Sequence, residues 1–161
     1  MSNISSYQAL VAALSVTFTS QAGATIALTA TNATGLKNSV QASATPIRLL
    51  LPWGGGENMT AQMGEFFYGN LSLVRWTFSD WLLWRPLAFG EGLGDATYDL
   101  REYASAYMTA ALSLDASSIS DRMNVESVTV QIREDINFPG GSENWYIGAI
   151  ATWTVAEDDP L

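Results

Sequence analysis

Carboxylates are the first side chains to weigh as catalytic groups, with Glu57, Glu65, Asp80, Glu91 and Asp95 as the candidates. A pair held at a fixed separation can hydrolyse a glycosidic bond: one acid protonates the leaving oxygen while the other attacks or activates water. Nothing in the spacing of these five selects a pair. Histidine and cysteine are absent, which removes the commonest general base, thiolate nucleophiles and thiolate metal ligands. Ser–His–Asp and Cys–His relays therefore cannot form within this chain. An acid cluster at Asp95, Asp99 and Glu102 lacks the loop pattern of a calcium-binding hand. No catalytic residue, metal ligand or cofactor is expected.

Two glycine-rich segments could approach phosphate. Gly90–Asp95 (GEGLGD) stands between a strand pattern and a helix pattern, where a dinucleotide fingerprint would stand. Its spacing is G-x-G-x-G, Asp95 occupies the third glycine position, and two carboxylates would oppose a pyrophosphate; it reads as a tight turn. Pro52–Thr60 (PWGGGENMT) lacks the Gly-Lys-Ser/Thr ending of a phosphate loop and reads as a second turn. Tryptophans stand at 53, 76, 81, 84, 145 and 153. They could stack on sugar rings, but their alternation along strands favours packing in a core or an interface. Sequons at Asn3, Asn32, Asn58 and Asn70 read as chance in a chain rich in Ser and Thr.

The elements that would hold these residues follow from periodicity. Ser5 to about Gln21 reads as a helix with Tyr7, Leu10, Val11, Leu14 and Phe18 on one face and Gly23 as its stop. Residues 24–45 are rich in small and hydroxyl side chains and read as a long loop or arm, with a short strand at Thr25–Thr29. Pro46–Pro52 (PIRLLLP) is a strand bracketed by prolines. Glu57–Tyr68 is ambiguous between a loop and a short irregular element. Leu71–Phe89 alternates, with Val74, Trp76, Phe78, Leu82 and Trp84 on one face, and reads as a long strand or a tight hairpin. Asp80 falls on that same face: either a bulge or turn near Ser79–Asp80 shifts the register, or a carboxylate sits in an apolar wall. Because an unpaired buried charge is costly, the bulge or turn is the favoured expectation.

Asp99–Leu114 is the clearest helix, with Leu100, Tyr103, Ala104, Tyr107, Met108, Ala111 and Leu112 in one stripe and Asp95, Thr97 or Asp99 as its cap. Val125–Ile132 and Trp145–Val155 are strands whose Pro-Gly-Gly connection predicts an antiparallel hairpin. Val128, Val130 and Ile132 share a face in the first, and Trp145, Ile147, Ala149, Ala151, Trp153 and Val155 in the second. Glu157–Leu161 is an acidic tail. The expected fold is a single α+β domain over 1–161: one mainly antiparallel sheet, two helices packed on it, and a long N-terminal loop or arm.

Composition narrows the function classes. The chain has 161 residues, 48% of them hydrophobic and only 14% charged, with a net charge of −9. That excludes disorder and leaves no basic patch to neutralise phosphates. So few charges fit a chain that hides part of its surface in an assembly. No membrane span is visible, and the ALVAAL run is too short and lacks the preceding basic residues of a signal peptide.

The succession of a first helix, PIRLLLP, WTFSDWLLWRP, GEGLG, the DLREYASAYMTAAL helix and a hairpin ending in WTVAE covers about Ser5 to Glu157. It resembles the tail-terminator (tail-completion) proteins of tailed bacteriophages. The resemblance implies a homo-oligomeric, hexameric ring on the last disc of the tail tube, which stops tube polymerisation and offers a face to the head–neck connector. The implied partners are other copies of the chain, the major tail tube protein and neck or connector proteins. The implied location is the virion, at the tail–neck junction, after synthesis in the host cytoplasm. DNA would pass through the lumen without specific binding, since an acidic wall repels it. Loop position marks Glu134, Asp135 and Glu143 near the last hairpin turn, or Glu91 and Asp95 at the helix start, as lumen or rim carboxylates. The alternatives are another phage neck or head-completion protein, a carbohydrate-binding module using exposed tryptophans, and a small acid-dependent hydrolase.

Overall fold

In the computed structural model, described over residues 3–32, 45–51, 60–63, 73–87, 93–114, 121–137 and 145–158, most of the alternating apolar runs become one sheet. In chain order the elements are α1 (Ile4–Ala13), β1 (Val16–Thr19), β2 (Thr25–Leu28), β3 (Ala30–Asn32), β4 (Ile47–Leu51), β5 (Thr60–Met63), β6 (Leu73–Pro86), α2 (Leu93–Leu112), β7 (Met123–Asn137) and β8 (Trp145–Asp158). The large sheet runs β3-β4-β6-β8-β7, with β5 also on β6. All its pairings are antiparallel except β3 on β4. The fold is α+β, as expected.

The first helix is shorter than its apolar stripe predicts. It ends at Ala13, and Val16–Thr19 pairs with Thr25–Leu28 as a small separate ribbon. Val16, Thr17 and Thr19 are β-branched and fit an extended backbone better than a helical one. Phe18 still turns inward, now from a strand, with its ring 5.9 Å from those of Tyr103 and Trp84. Gly23 is the ribbon's turn residue rather than a helix stop; its φ of 81° is one that side-chain-bearing residues rarely adopt. The short strand expected at Thr25–Thr29 is β2, and β3 follows it at the front of the segment expected as an arm, while 33–44 lies outside the described residues.

β6 is a single strand of 14 residues. Its register against β8 runs unbroken through Ser79 and Asp80 and shifts only between Leu83 and Arg85. The bulge or turn expected at Ser79–Asp80 is therefore not there, and Asp80 stays on the inner face. α2 begins earlier than expected, inside the glycine segment, so Gly94 and Asp95 are helical and Thr97 and Asp99 are interior positions. The Thr97 hydroxyl donates to the Leu93 carbonyl at 2.7 Å. Asp99 accepts from the backbone N–H of Gln21 at 2.7 Å, tying the ribbon's turn to the helix.

One face of the sheet carries α1, α2 and the ribbon. Its core joins Tyr7, Val11, Phe18, Phe78, Leu82, Leu100, Tyr103, Tyr107, Trp153 and Val155. Leu112, expected in the α2 stripe, is exposed at the helix end, and Trp145, expected on the inner face of β8, is 47% exposed. The other face holds a second cluster of Leu49, Leu51, Trp81, Leu83, Ile136 and Tyr146. β4 and the middle of β6 are thus buried on both faces, which is why the IRLLL run of β4 loses its alternation. At the end of β8, Glu157 and Asp158 belong to the strand rather than to a tail, and Glu157 is buried.

Candidate functional site

The polar chemistry of the described residues is concentrated in a sealed cluster around Asp80. β4 runs antiparallel to β6 with Leu50 opposite Asp80 and Arg48 opposite Leu82. Arg48 and Asp80 are therefore diagonal neighbours on one face, within reach of a long side chain. The Arg48 Nε donates to Asp80 Oδ1 and Oδ2 at 3.1 and 2.9 Å, and Nη2 donates to Oδ2 at 2.6 Å. From α2, the Tyr107 hydroxyl donates to Asp80 Oδ2 at 2.7 Å and accepts from the indole N–H of Trp153 at 2.7 Å. Ala151 stands opposite Asp80 on β8.

The guanidinium does more than balance the carboxylate. Its remaining N–H groups donate to the carbonyls of Val11 (2.8 Å) and Leu14, at the end of α1, and of Leu28 (3.3 Å), in β2. A cation at a helix C-terminus satisfies carbonyls that the helix leaves unpaired and complements its dipole. Its central carbon also lies 5.2 Å from the Tyr107 ring centroid, a cation–π distance. One side chain thereby joins α1, β2, β4, β6 and α2. Both charged side chains are fully buried.

Burial pushes the Asp80 carboxyl up from its ordinary value, while the Arg48 charge and the Arg48 and Tyr107 hydrogen bonds pull it back. The net direction is upward. Arg48 is held above its ordinary value despite its burial, because the Asp80 carboxylate faces it. Closed off from solvent, this cluster can orient and rigidify, but a substrate cannot reach it.

A second buried carboxylate ties the N-terminus to the sheet. Glu157 accepts from the backbone N–H of Asn3 at 2.6 Å and from the indole N–H of Trp76 at 3.0 Å. Among the described residues no group of three acidic side chains could hold a metal ion.

The expected lumen or rim carboxylates are only partly brought together. Glu134 and Asp135 lie in β7 itself rather than in a loop, at the bulge between Arg133 and Ile136, and both are exposed. An irregular strand end had hidden its pairing in the sequence, because the bulge breaks the alternation there. Asp135 is held below the usual carboxylate range by its hydrogen bond from Arg133, at 2.8 Å. Beside the two acids, the exposed Leu87 and Trp145 complete a shallow surface hollow of about 490 Å³. Asp95 is the third residue of α2. Glu91 and Glu143 lie outside the described residues, as do Glu57, Glu65 and Trp53.

A smaller cleft, about 260 Å³, opens on the sheet face away from the helices and is lined by Ser79, Trp81, Gln131, Arg133, Ile150 and Thr152, among others. The tryptophans do not form a stacking platform among the described residues. Trp81 and Trp153 are buried, Trp76 and Trp84 are half-buried, and Trp145 alone of the five is exposed.

Arg48 is the residue that sequence reading missed. The signal was present: a lone cation inside an apolar strand, PIRLLLP, and a lone carboxylate inside another, WTFSDWLLW. Each is anomalous by itself, and together they are a pair. No family model, curated protein or solved structure matches this chain. Among the described residues no helix is long and apolar enough to cross a membrane.

Proposed function

We propose that this protein is a structural virion subunit, a tail terminator that assembles as a homo-oligomeric ring, caps the phage tail tube and joins it to the head–neck connector. The observation that carries the reading is where the chain places its polar chemistry. Arg48, Asp80, Tyr107 and Trp153 are spent on one another in a sealed interior that locks two helices, a ribbon and the sheet into a rigid unit. Rigid subunits of low charge content suit a ring, which repeats one interface and must present two defined faces. The element order that resembles tail terminators supports the same reading. The exposed Glu134–Asp135 pair, beside Leu87 and Trp145, is the surface we assign to the rim or lumen, where carboxylates would keep DNA from adhering.

Electron microscopy tests this directly. The protein is added to polymerising tail-tube protein from the same genome. Rings seated at tube ends, with shorter tubes, are the expected result. A chain that stays monomeric and leaves tube length unchanged would sink the proposal. A ring with Glu134 and Asp135 on its outer wall would remove their assigned role alone.

A further inference from the structure

Along its main path the large sheet ends in β3 on one side and β7 on the other, and neither outer edge pairs with a strand among the described residues. The four-residue β5, beside β4 on β6, is a further short edge. β7 is 15 residues long. Natural edge strands are protected by charges, prolines, bulges or shortness, because unpaired N–H and C=O groups recruit other strands. On β7 these devices sit only toward the ends. The register shifts at Val125/Ser127 and at Arg133/Ile136, and the charges are Glu126, Arg133, Glu134 and Asp135. Between them Ser127–Ile132 (SVTVQI) keeps regular register on β8, from Ser127 opposite Thr154 to Ile132 opposite Ala149. It contains neither charge nor proline. The other end is equally neutral: β3 lies within Ala24–Leu36, which contains no charged residue.

This distribution matters because the chain carries a net charge of −9. Two copies repel wherever their carboxylates face one another, and the neutral edges are places where they can approach without that penalty. Strand sense then fixes how they meet. β3 is parallel to β4, and each step from β4 to β6, β8 and β7 reverses direction. β3 and β7 therefore run in opposite senses within one sheet. A rotation axis along the strands leaves every sense unchanged, so β3 of one copy meets β7 of the next antiparallel, which is the more stable ladder. Because different edges meet, the contact is head-to-tail, the kind that makes a ring when the rotation from copy to copy closes.

From these observations we infer that copies of this chain join edge to edge, the β3 end of one sheet pairing antiparallel with Ser127–Ile132 of its neighbour. The inference rests on the ring reading and specifies its seam. β3 is short, so the ladder sets direction and register, and the surrounding surfaces supply the rest of the contact.

The test uses the full chain. Amide hydrogen exchange is compared between dilute and assembled protein, and Thr129→Lys and Gln131→Lys are followed by sedimentation, with Ser105→Lys on the exposed side of α2 as control. Thr129, Gln131 and Ser105 are all exposed, so the folded subunit tolerates each lysine. The expected result is slowed exchange on assembly at both 30–32 and 127–132. The β7 lysines should weaken association by about tenfold or more, a change of one decade in the dissociation constant, while Ser105→Lys leaves it unchanged. A ring whose 30–32 and 127–132 amides exchange as fast as in dilute protein overturns the seam and leaves the ring reading intact. A closed dimer protected at 127–132 but not at 30–32 overturns it in favour of twofold β7 pairing. A chain that stays monomeric at every concentration overturns the seam and the ring reading together.

Discussion

Asp80 accepts from three donors, two on Arg48 and one on Tyr107, so the contributions of the two side chains can be separated. Asp80→Ala or Arg48→Ala leaves an uncompensated buried charge and should cost about 3–5 kcal/mol in urea unfolding. For an ordinary buried pair, joint replacement by apolar residues of similar size is often neutral. Here Arg48→Met with Asp80→Leu should remain destabilised, because the carbonyls of Val11, Leu14 and Leu28 lose their donor. Stability near that of the unmodified chain would show that the end of α1 does not depend on Arg48. The tyrosines discriminate further. Tyr107→Phe strands the Trp153 N–H and should cost about 1–3 kcal/mol. The hydroxyls of Tyr7 and Tyr103 are buried with no hydrogen-bond partner among the described residues. Replacing either by Phe removes an unsatisfied group and should be neutral or stabilising by up to about 1 kcal/mol.

At the scale of elements, strict two-residue alternation in β8 and the PIRLLLP run located their strands correctly, as did the Pro-Gly-Gly signal for the final hairpin. What sequence concealed were the places where a long-range partner overrides local pattern. The apolar stripe of α1 continued past its true end because Phe18 packs on α2 from a strand at nearly the spacing a helix would give. Asp80 looked misplaced because its counter-charge is 32 positions away in sequence. Gly148 is a similar case: nothing local marks it. An added Cβ there would stand 1.8 Å from the Leu82 carbonyl oxygen and 3.2 Å from Ile136 Cδ1. That close approach of β8 to β6 lies beside the Leu83/Arg85 bulge. Backbone cannot yield as a flexible side chain does, so Gly148→Ala should cost about 1–3 kcal/mol or more. Gly94→Ala, where an added Cβ meets nothing within 4 Å, is the matched control in thermal unfolding.

For the whole molecule, the one-sided placement of both helices makes the inner core a stack of aromatic rings: Phe78 lies parallel to Trp153 at 6.1 Å, and Tyr7 and Tyr107 meet Trp153 edge-on at 6.0 and 6.2 Å. Three phenols in this core make global stability sensitive to alkali. Burial pushes Tyr7, Tyr103 and Tyr107 up from the ordinary value of 10.0, and the Asp80 carboxylate pushes the latter two further while Arg48 opposes it. A raised value means that the folded state holds its protons more tightly than the unfolded chain does. The stability these groups confer is therefore complete below about pH 10 and is lost as pH rises above it, since unfolding then releases protons. Phenolate absorbance and far-ultraviolet circular dichroism recorded together through an alkaline titration should show these three tyrosines ionising in one step with loss of the fold. Tyr7→Phe combined with Tyr103→Phe removes two of the three proton-releasing groups and should move that step to higher pH. A step that stays in place would assign alkaline unfolding to groups outside this core.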